Sequence, residues 1–158
     1  MRGRLLMKIK YLVDCQEYLP VISSWLYDCW GSYYPDSGRE KWEKDLADRL
    51  NKEQVPTSFV AMQGGEARGT ASLIEDDLPI RPKLTPWLAD VFVPRDYRSR
   101  GIATKLVERV TAEVRLIGLE RFYLFTREAK KLYQKIGWQV REVAIYRDKE
   151  IHIMQYDL

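Results

Sequence analysis

Apolar positions along this chain change period several times, and each change marks a new element. Ile9, Tyr11 and Val13 alternate with Lys8 and Lys10, the period of a half-buried strand. Leu19, Ile22, Trp25, Leu26 and Cys29 then recur three and four apart, one face of a helix that Gly31 interrupts. Asp14 followed by Glu17 reads as a capping box before that helix. Ser37 with Glu40 repeats the signal ahead of Trp42, Leu46 and Leu50. Thr57 to Gln63 and Arg68 to Ile74 read as two strands joined through Gly64 and Gly65, a hairpin turn.

An acidic start, Glu75-Asp76-Asp77, opens a loop punctuated by Pro79, Pro82 and Pro86. It leads into Leu88 to Val93, a short run rich in apolar, β-branched and aromatic residues that reads as a buried strand ending at Pro94. Ile102, Leu106, Val107, Val110, Val114 and Ile117 form the longest helical face, which Gly118 closes. Arg121 to Thr126 is the next strand. Thr126 is placed to cap a short helix carrying Ala129, Leu132, Tyr133 and Ile136, and after Gly137 the chain packs back at Trp138. Trp138 to Tyr146 and Glu150 to Tyr156 end the chain as a hairpin. The order β-α-α-β-β-β-α-β-α-β-β predicts an α/β fold: one mixed, open sheet with helices on both faces, in a single domain over residues 1–158.

Composition narrows the function classes. The formal net charge is +3, with Lys and Arg interleaved among Asp and Glu, which argues against a dedicated nucleic-acid binder. No apolar run approaches a membrane span. The start from Met1 to Lys8 has positive charge but no long apolar region or cleavage site, so no signal peptide is expected, and Met7 is an alternative start. Cys15 and Cys29 fall in apolar helical surroundings and are expected to be packed, reduced thiols rather than metal ligands. These features point to a cytoplasmic protein with no metal.

The candidate chemistry lies between the strand ending at Val93 and the helix starting at Ile102. Arg98-Ser99-Arg100-Gly101-Ile102-Ala103 must turn several backbone N–H groups toward a helix N-terminus. Gly101 permits torsions and a close approach that a Cβ obstructs, and two arginines add charge to the positive end of the helix dipole. That suits a phosphate or diphosphate, or else an ordinary strand-turn-helix connection. The aromatic stretch around Trp30, Tyr33 and Tyr34 either covers a core or lines a cleft. His152, alternating with Ile151 and Ile153, reads as a satisfied strand-face histidine.

Arg98-x-x-Gly101-x-Ala103 after the fourth strand, followed in order by Leu132-Tyr133-x-x-x-Gly137-Trp138, resembles the paired motifs of the GNAT superfamily of acyl-CoA-dependent N-acetyltransferases. The resemblance is strongest from Trp87 to Val140. It implies acetyl-CoA as cosubstrate, lying where the fourth and fifth of about seven strands splay apart. The pyrophosphate would accept hydrogen bonds from backbone N–H groups of Arg100, Gly101, Ile102, Ala103 and Thr104, with Ser99 in the same turn and Arg98 assisting. Pantetheine would pair with the backbone at Phe92 and Val93. Tyr133 would serve the departing thiolate. Many members place a glutamate base on the fourth or fifth strand; Trp87 and Phe125 stand there instead, and Asp90 is the only carboxylate in either segment. Asp90 is thus the candidate base, or a solvated or arginine-paired carboxylate. The acceptor would be a small-molecule or peptide amine bordered by Trp30, Tyr33, Tyr34, Glu75 and Asp76. Homodimers are common in the family. A non-catalytic acyl-CoA-binding or regulatory module on the same fold is the alternative reading.

Overall fold

The structure, a computed structural model, describes residues 6–158. The stretch from Met1 to Leu5, part of the start read above as no signal peptide, lies outside the described residues. Seven strands form one sheet: β1 (Lys8–Tyr11), β2 (Thr57–Gln63), β3 (Glu66–Ile74), β4 (Trp87–Phe92), β5 (Arg121–Thr126), β6 (Gln139–Tyr146) and β7 (Lys149–Asp157). Their order across the sheet is β1-β2-β3-β4-β5-β7-β6. All neighbours are antiparallel except β4 and β5. The helices are α1 (Leu19–Trp30), α2 (Arg39–Ala47), α3 (Ile102–Ile117) and α4 (Lys130–Lys135). The expected mixed sheet is therefore the one observed.

Two helical layers cover the sheet. On one face, Ile102, Leu106, Val107, Val110 and Val114 of α3 pack on Phe59, Ala71, Leu73, Leu88, Phe122 and Leu124. On the other, Ile22 and Leu26 of α1 and Leu46 of α2 pack on Val60 and Met62. Further along that second face, Trp87, Tyr123, Tyr146, Ile151 and Ile153 form a separate cluster with Leu78 from the β3–β4 loop. Two apolar clusters on one face leave a strip between them, and polar residues fill it.

Local signals met different fates. Gly118 ends α3 at φ 89°, and Gly137 ends α4 at φ 101°, with the Trp138 N–H donating to the Tyr133 carbonyl at 3.0 Å. The Thr126 hydroxyl accepts from the Ala129 N–H at 3.0 Å, but α4 starts only at Lys130 with Ala129 as its N-cap, so Thr126 orders the approach to the helix rather than capping it. Neither capping box forms. A 3₁₀ stretch over Leu12–Tyr18, kinked at Cys15, precedes α1, while Asp14 pairs with Lys52 at 2.8 Å. Gly38 stands at the N-cap of α2 without a side-chain cap. Cys15 is buried, but Cys29 is exposed, contrary to the expected packed pair. His152 is half-buried and its Nδ1 lacks a hydrogen bond among the described residues, so it is not the satisfied histidine expected.

The only buried carboxylate in α3, Glu113, is tied on three sides. The Tyr11 hydroxyl donates to it at 2.8 Å, the Glu53 N–H at 2.8 Å and the Arg109 guanidinium at 3.1 Å. Burying a charge is costly unless hydrogen bonds replace water, and here they do. The ring of contacts ties β1, the segment before β2 and the C-terminal half of α3 together.

Candidate active site

Strands β4 and β5 meet at one register position, Trp87 with Tyr123, and then part. The cause lies in β4 itself. Ala89 faces Ser72 and Phe92 faces Thr70 across the β3 ladder, so three steps on β4 oppose two on β3. Asp90 absorbs the extra residue at φ 54°, in the left-handed region that aspartate tolerates better than most side chains. A bulge bends its strand and ends regular pairing. The result is an opening between parallel neighbours, lined with unpaired backbone groups of the second half of β4.

At the mouth of that opening the chain passes through Pro94 and a short 3₁₀ turn, Arg95–Tyr97, into α3. Ser99 at φ 63° and Gly101 at φ 81° are both left-handed, while Arg98 between the turn and Ser99 is extended. Two left-handed residues within three turn the chain sharply into the positive end of a sixteen-residue helix, whose first N–H groups have no intrahelical partner. Ser99, Arg100 and Gly101 are exposed. A Cβ on Gly101 would meet nothing within 4 Å, so the glycine answers to backbone torsion and to whatever approaches from outside. Ile102 is buried and anchors the helix start, while Ala103 and Thr104 are half-buried beside it. Arg98 folds back, its Nε donating to the Val93 carbonyl at 2.8 Å. Its guanidinium braces the end of β4 and lies 5.7 Å from the Phe92 ring.

On the far side of the opening, α4 places Tyr133 in the core beside Trp138, ring centroids 6.1 Å apart. Burial pushes its phenol up to about 12, so it remains protonated at neutral pH. The hydroxyl makes no hydrogen bond among the described residues.

The polar strip on the second face of the sheet runs directly beneath β4. The Ser58 and Ser72 hydroxyls lie 2.6 Å apart. Arg49, just beyond α2, donates to the Ser72 Oγ at 3.1 Å and to the Asp90 Oδ2 at 2.7 Å. Asp90 is therefore the arginine-paired carboxylate of the two readings its sequence position allowed. The next group in the strip is Asp77, on which the charges of both Asp90 and Arg49 act. Leu78, buried against Trp87 and Tyr146, fixes that part of the loop. Asp77 makes no hydrogen bond or ion pair among the described residues. Burial first, and then the Asp90 charge, push its carboxyl up to about 7, against the opposing pull of Arg49.

Aromatic side chains wall the strip. The Phe92 ring lies between those of Trp25 at 5.8 Å and Trp30 at 6.1 Å. Trp87 contacts Phe125 at 6.2 Å, and Phe125 contacts Tyr146 at 5.8 Å, both edge to face, so the two positions lacking glutamate carry rings packed against one another. Tyr34 is raised by burial and by the neighbouring Tyr146 phenol, with a smaller contribution from Asp77. The Arg147 guanidinium covers Tyr34 at 4.4 Å and donates to the Tyr33 carbonyl at 3.1 Å; Arg127 covers the Tyr33 ring at 4.0 Å. Glu75 and Asp76 stand exposed, without a hydrogen bond or ion pair among the described residues. Sequence reading did not single out Arg49, Tyr146, Arg127 or Arg147. It noted Asp77 only as one of three acidic loop residues, and no spacing pattern separates the half-buried one from the exposed two.

Among the described residues no His, Cys, Asp or Glu group is arranged to hold a metal, and no helix is long and apolar enough to cross a membrane. Solved structures share the whole fold. An aminoglycoside 6'-N-acetyltransferase complexed with coenzyme A superposes with a TM-score of 0.75 at 19% identity, covering 95% of this chain and 96% of its own. An aminoglycoside 6'-acetyltransferase type Ii gives 0.73 at 21% identity, over 95% and 96%. A spermidine N-acetyltransferase from Vibrio cholerae, in complex with CoA and spermine, gives 0.72 at 16% identity, over 96% and 95%. No curated protein sequence matches the chain significantly. The sequence model described as Acetyltransferase (GNAT) family matches residues 19–138, from the first helix to the tryptophan after α4. The chain belongs to the GNAT family of acetyltransferases.

Proposed function

We propose that this protein transfers the acetyl group of acetyl-CoA to a primary amine, of a small molecule or of a peptide or protein N-terminus, by direct attack in a ternary complex. The observation that carries this reading is the opening between β4 and β5, with an anion-binding turn at its mouth and a buried protonated phenol beyond it. The turn from Arg98 to Thr104 takes the pyrophosphate through its N–H groups. The edge that β4 turns toward β5 around Phe92 and Val93 takes the pantetheine arm, beside the Val93 carbonyl that Arg98 already engages. A backbone N–H at the splay faces the thioester oxygen, where a preorganised donor lowers the barrier as that oxygen gains charge.

Attack on the carbonyl carbon forms a C–N bond, and collapse of the tetrahedral adduct breaks C–S. The sulfur takes a proton from Tyr133. A phenol near 12 gives its proton to a thiolate near 8.5 only uphill, by roughly 5 kcal/mol. The step therefore runs with loss of a proton from the new amide nitrogen, which replenishes the phenol. The Asp90–Arg49 pair supplies fixed charge beneath the reacting centre. The family members of known structure named above act on aminoglycosides and on spermidine. Those names, together with the aromatic and acidic walls here, favour a cationic small-molecule amine in a cytoplasmic setting.

Purified protein incubated with acetyl-CoA and individual amines, with thiol release followed against time, tests the reading. Acceptor-dependent release establishes it. Saturable acetyl-CoA binding without release across polyamines, aminoglycosides and peptides would instead favour an acyl-CoA-binding module, the reading that the arginine-locked Asp90 supports.

A further inference from the structure

The acceptor arrives as an ammonium ion, since alkyl amines titrate near 10, and something must remove a proton before the nitrogen lone pair can attack. Asp90 is poorly suited: its Oδ2 is already engaged by the Arg49 guanidinium at 2.7 Å. His152 is half-buried on β7 between Ile151 and Ile153, which pack in the Trp87 cluster, so strand alternation turns its side chain to the opposite face of the sheet from the strip. The second face offers one further half-buried carboxylate, Asp77, with neither hydrogen bond nor ion pair among the described residues, held by its neighbour Leu78, which is buried against Trp87 at the start of β4 and against Tyr146.

We infer that Asp77 is the catalytic residue that takes the proton from the acceptor ammonium, with Asp90 and Arg49 as positioning residues that set its charge state. The inference rests on the acetyl-transfer reading above. Ionised Asp77 attracts R–NH3+ into the aromatic walls formed by Tyr34, Trp87, Phe125 and Tyr146. One N–H proton passes to the carboxylate, giving R–NH2 and a neutral carboxyl. The freed lone pair attacks the thioester carbon, and the carboxyl later releases its proton to water. A second nitrogen proton balances the one that Tyr133 gives to sulfur. The products are the amide, CoA thiol and one proton.

The charged and titratable groups around Asp77 come from separate elements. Asp90 is on β4, Arg49 follows α2, Tyr34 lies between α1 and α2, and Tyr146 ends β6 with Arg147 beside it. Each has a signed effect. Removing the Asp90 charge makes Asp77 easier to ionise, and removing the Arg49 charge makes it harder. A carboxylate with a merely structural role would not transmit these signs to catalysis.

The test is the pH dependence of kcat/KM for acetyl transfer to spermidine, kanamycin and a peptide with a free N-terminus. It is paired with carboxyl carbon-13 NMR titration of the wild-type protein, which needs no acceptor. The expected result is an acidic limb near pH 7, matched by a carboxyl that titrates there and disappears from the spectrum of Asp77→Asn. Asp77→Asn should lose on the order of 10²–10⁴-fold in kcat/KM while still binding acetyl-CoA, and Asp77→Glu should recover part of that loss. Asp90→Asn should move the limb to lower pH, and Arg49→Gln to higher pH. Transfer by Asp77→Asn at an unchanged rate with the limb intact would overturn the inference and leave the transfer reading standing. A wild-type Asp77 carboxyl titrating near 4 would overturn it as well. If no acceptor is acetylated while acetyl-CoA binds, the transfer reading itself fails, and this inference with it.

Discussion

At the scale of single residues, the site depends on a few groups whose protonation is set by burial. Tyr133 was legible in the sequence because its helix ends in a recognisable Gly137-Trp138 stop. Tyr133→Phe keeps the ring packing against Trp138 and removes the hydroxyl proposed to protonate the leaving sulfur, so kcat should fall by about 10²-fold while acetyl-CoA affinity, measured by calorimetry, stays close to wild type. Asp90 was legible as the lone strand carboxylate, but not its pairing, because Arg49 reaches it from 41 residues away in sequence. Asp77 carries a stability consequence independent of any substrate. Its folded pKa, about 7, lies above the unfolded value of 3.8, so between those values the folded state binds more protons than the unfolded one. The group's contribution therefore becomes steadily less favourable as pH rises through that window. Asp77→Asn should melt a few degrees above wild type at pH 8, with the difference vanishing by pH 4, as followed by thermal denaturation in a pH series.

At the scale of elements, the decisive feature is a strand that bends. The hydrophobic run from Leu88 to Val93 signals a strand, yet nothing in it announces a bulge at Asp90, because left-handed torsion at a non-glycine residue is imposed by the β3 ladder on one side. The turn after it was better marked, since Gly101 and the arginines declare a tight connection at a helix start. A Cβ at position 101 would meet no atom within 4 Å, but Gly101→Val must hold a β-branched residue at φ 81°, a conformation that costs about 1–3 kcal/mol. The variant should lower the melting temperature modestly and weaken acetyl-CoA binding far more, a separation that calorimetry and thermal denaturation together can read. The second capping box failed because α2 starts with Gly38 rather than Ser37 at its N-cap, the first because of competition. Capping competes with other partners, and Asp14 found Lys52 while a 3₁₀ turn displaced the expected helix start.

At the scale of the whole molecule, element order carried most of the fold, because strands and helices alternating in this pattern leave few ways to build one mixed sheet. The site carried over less well. It is assembled from the segment after α1, the end of α2, the β3–β4 loop, β4, α4 and the β6–β7 turn, contacts that no local period encodes. Glu113 shows the same long-range economy, joining β1, the approach to β2 and α3. Glu113→Ala removes a buried acceptor from three donors and should destabilise the fold by about 3–5 kcal/mol in urea denaturation, with little change in catalytic rate for the fraction that remains folded. The central claim, that the opening between β4 and β5 receives acetyl-CoA, is tested most directly by calorimetric titration of the folded protein with acetyl-CoA. The account predicts saturable binding at one site per chain. A flat titration from protein shown to be folded would contradict it.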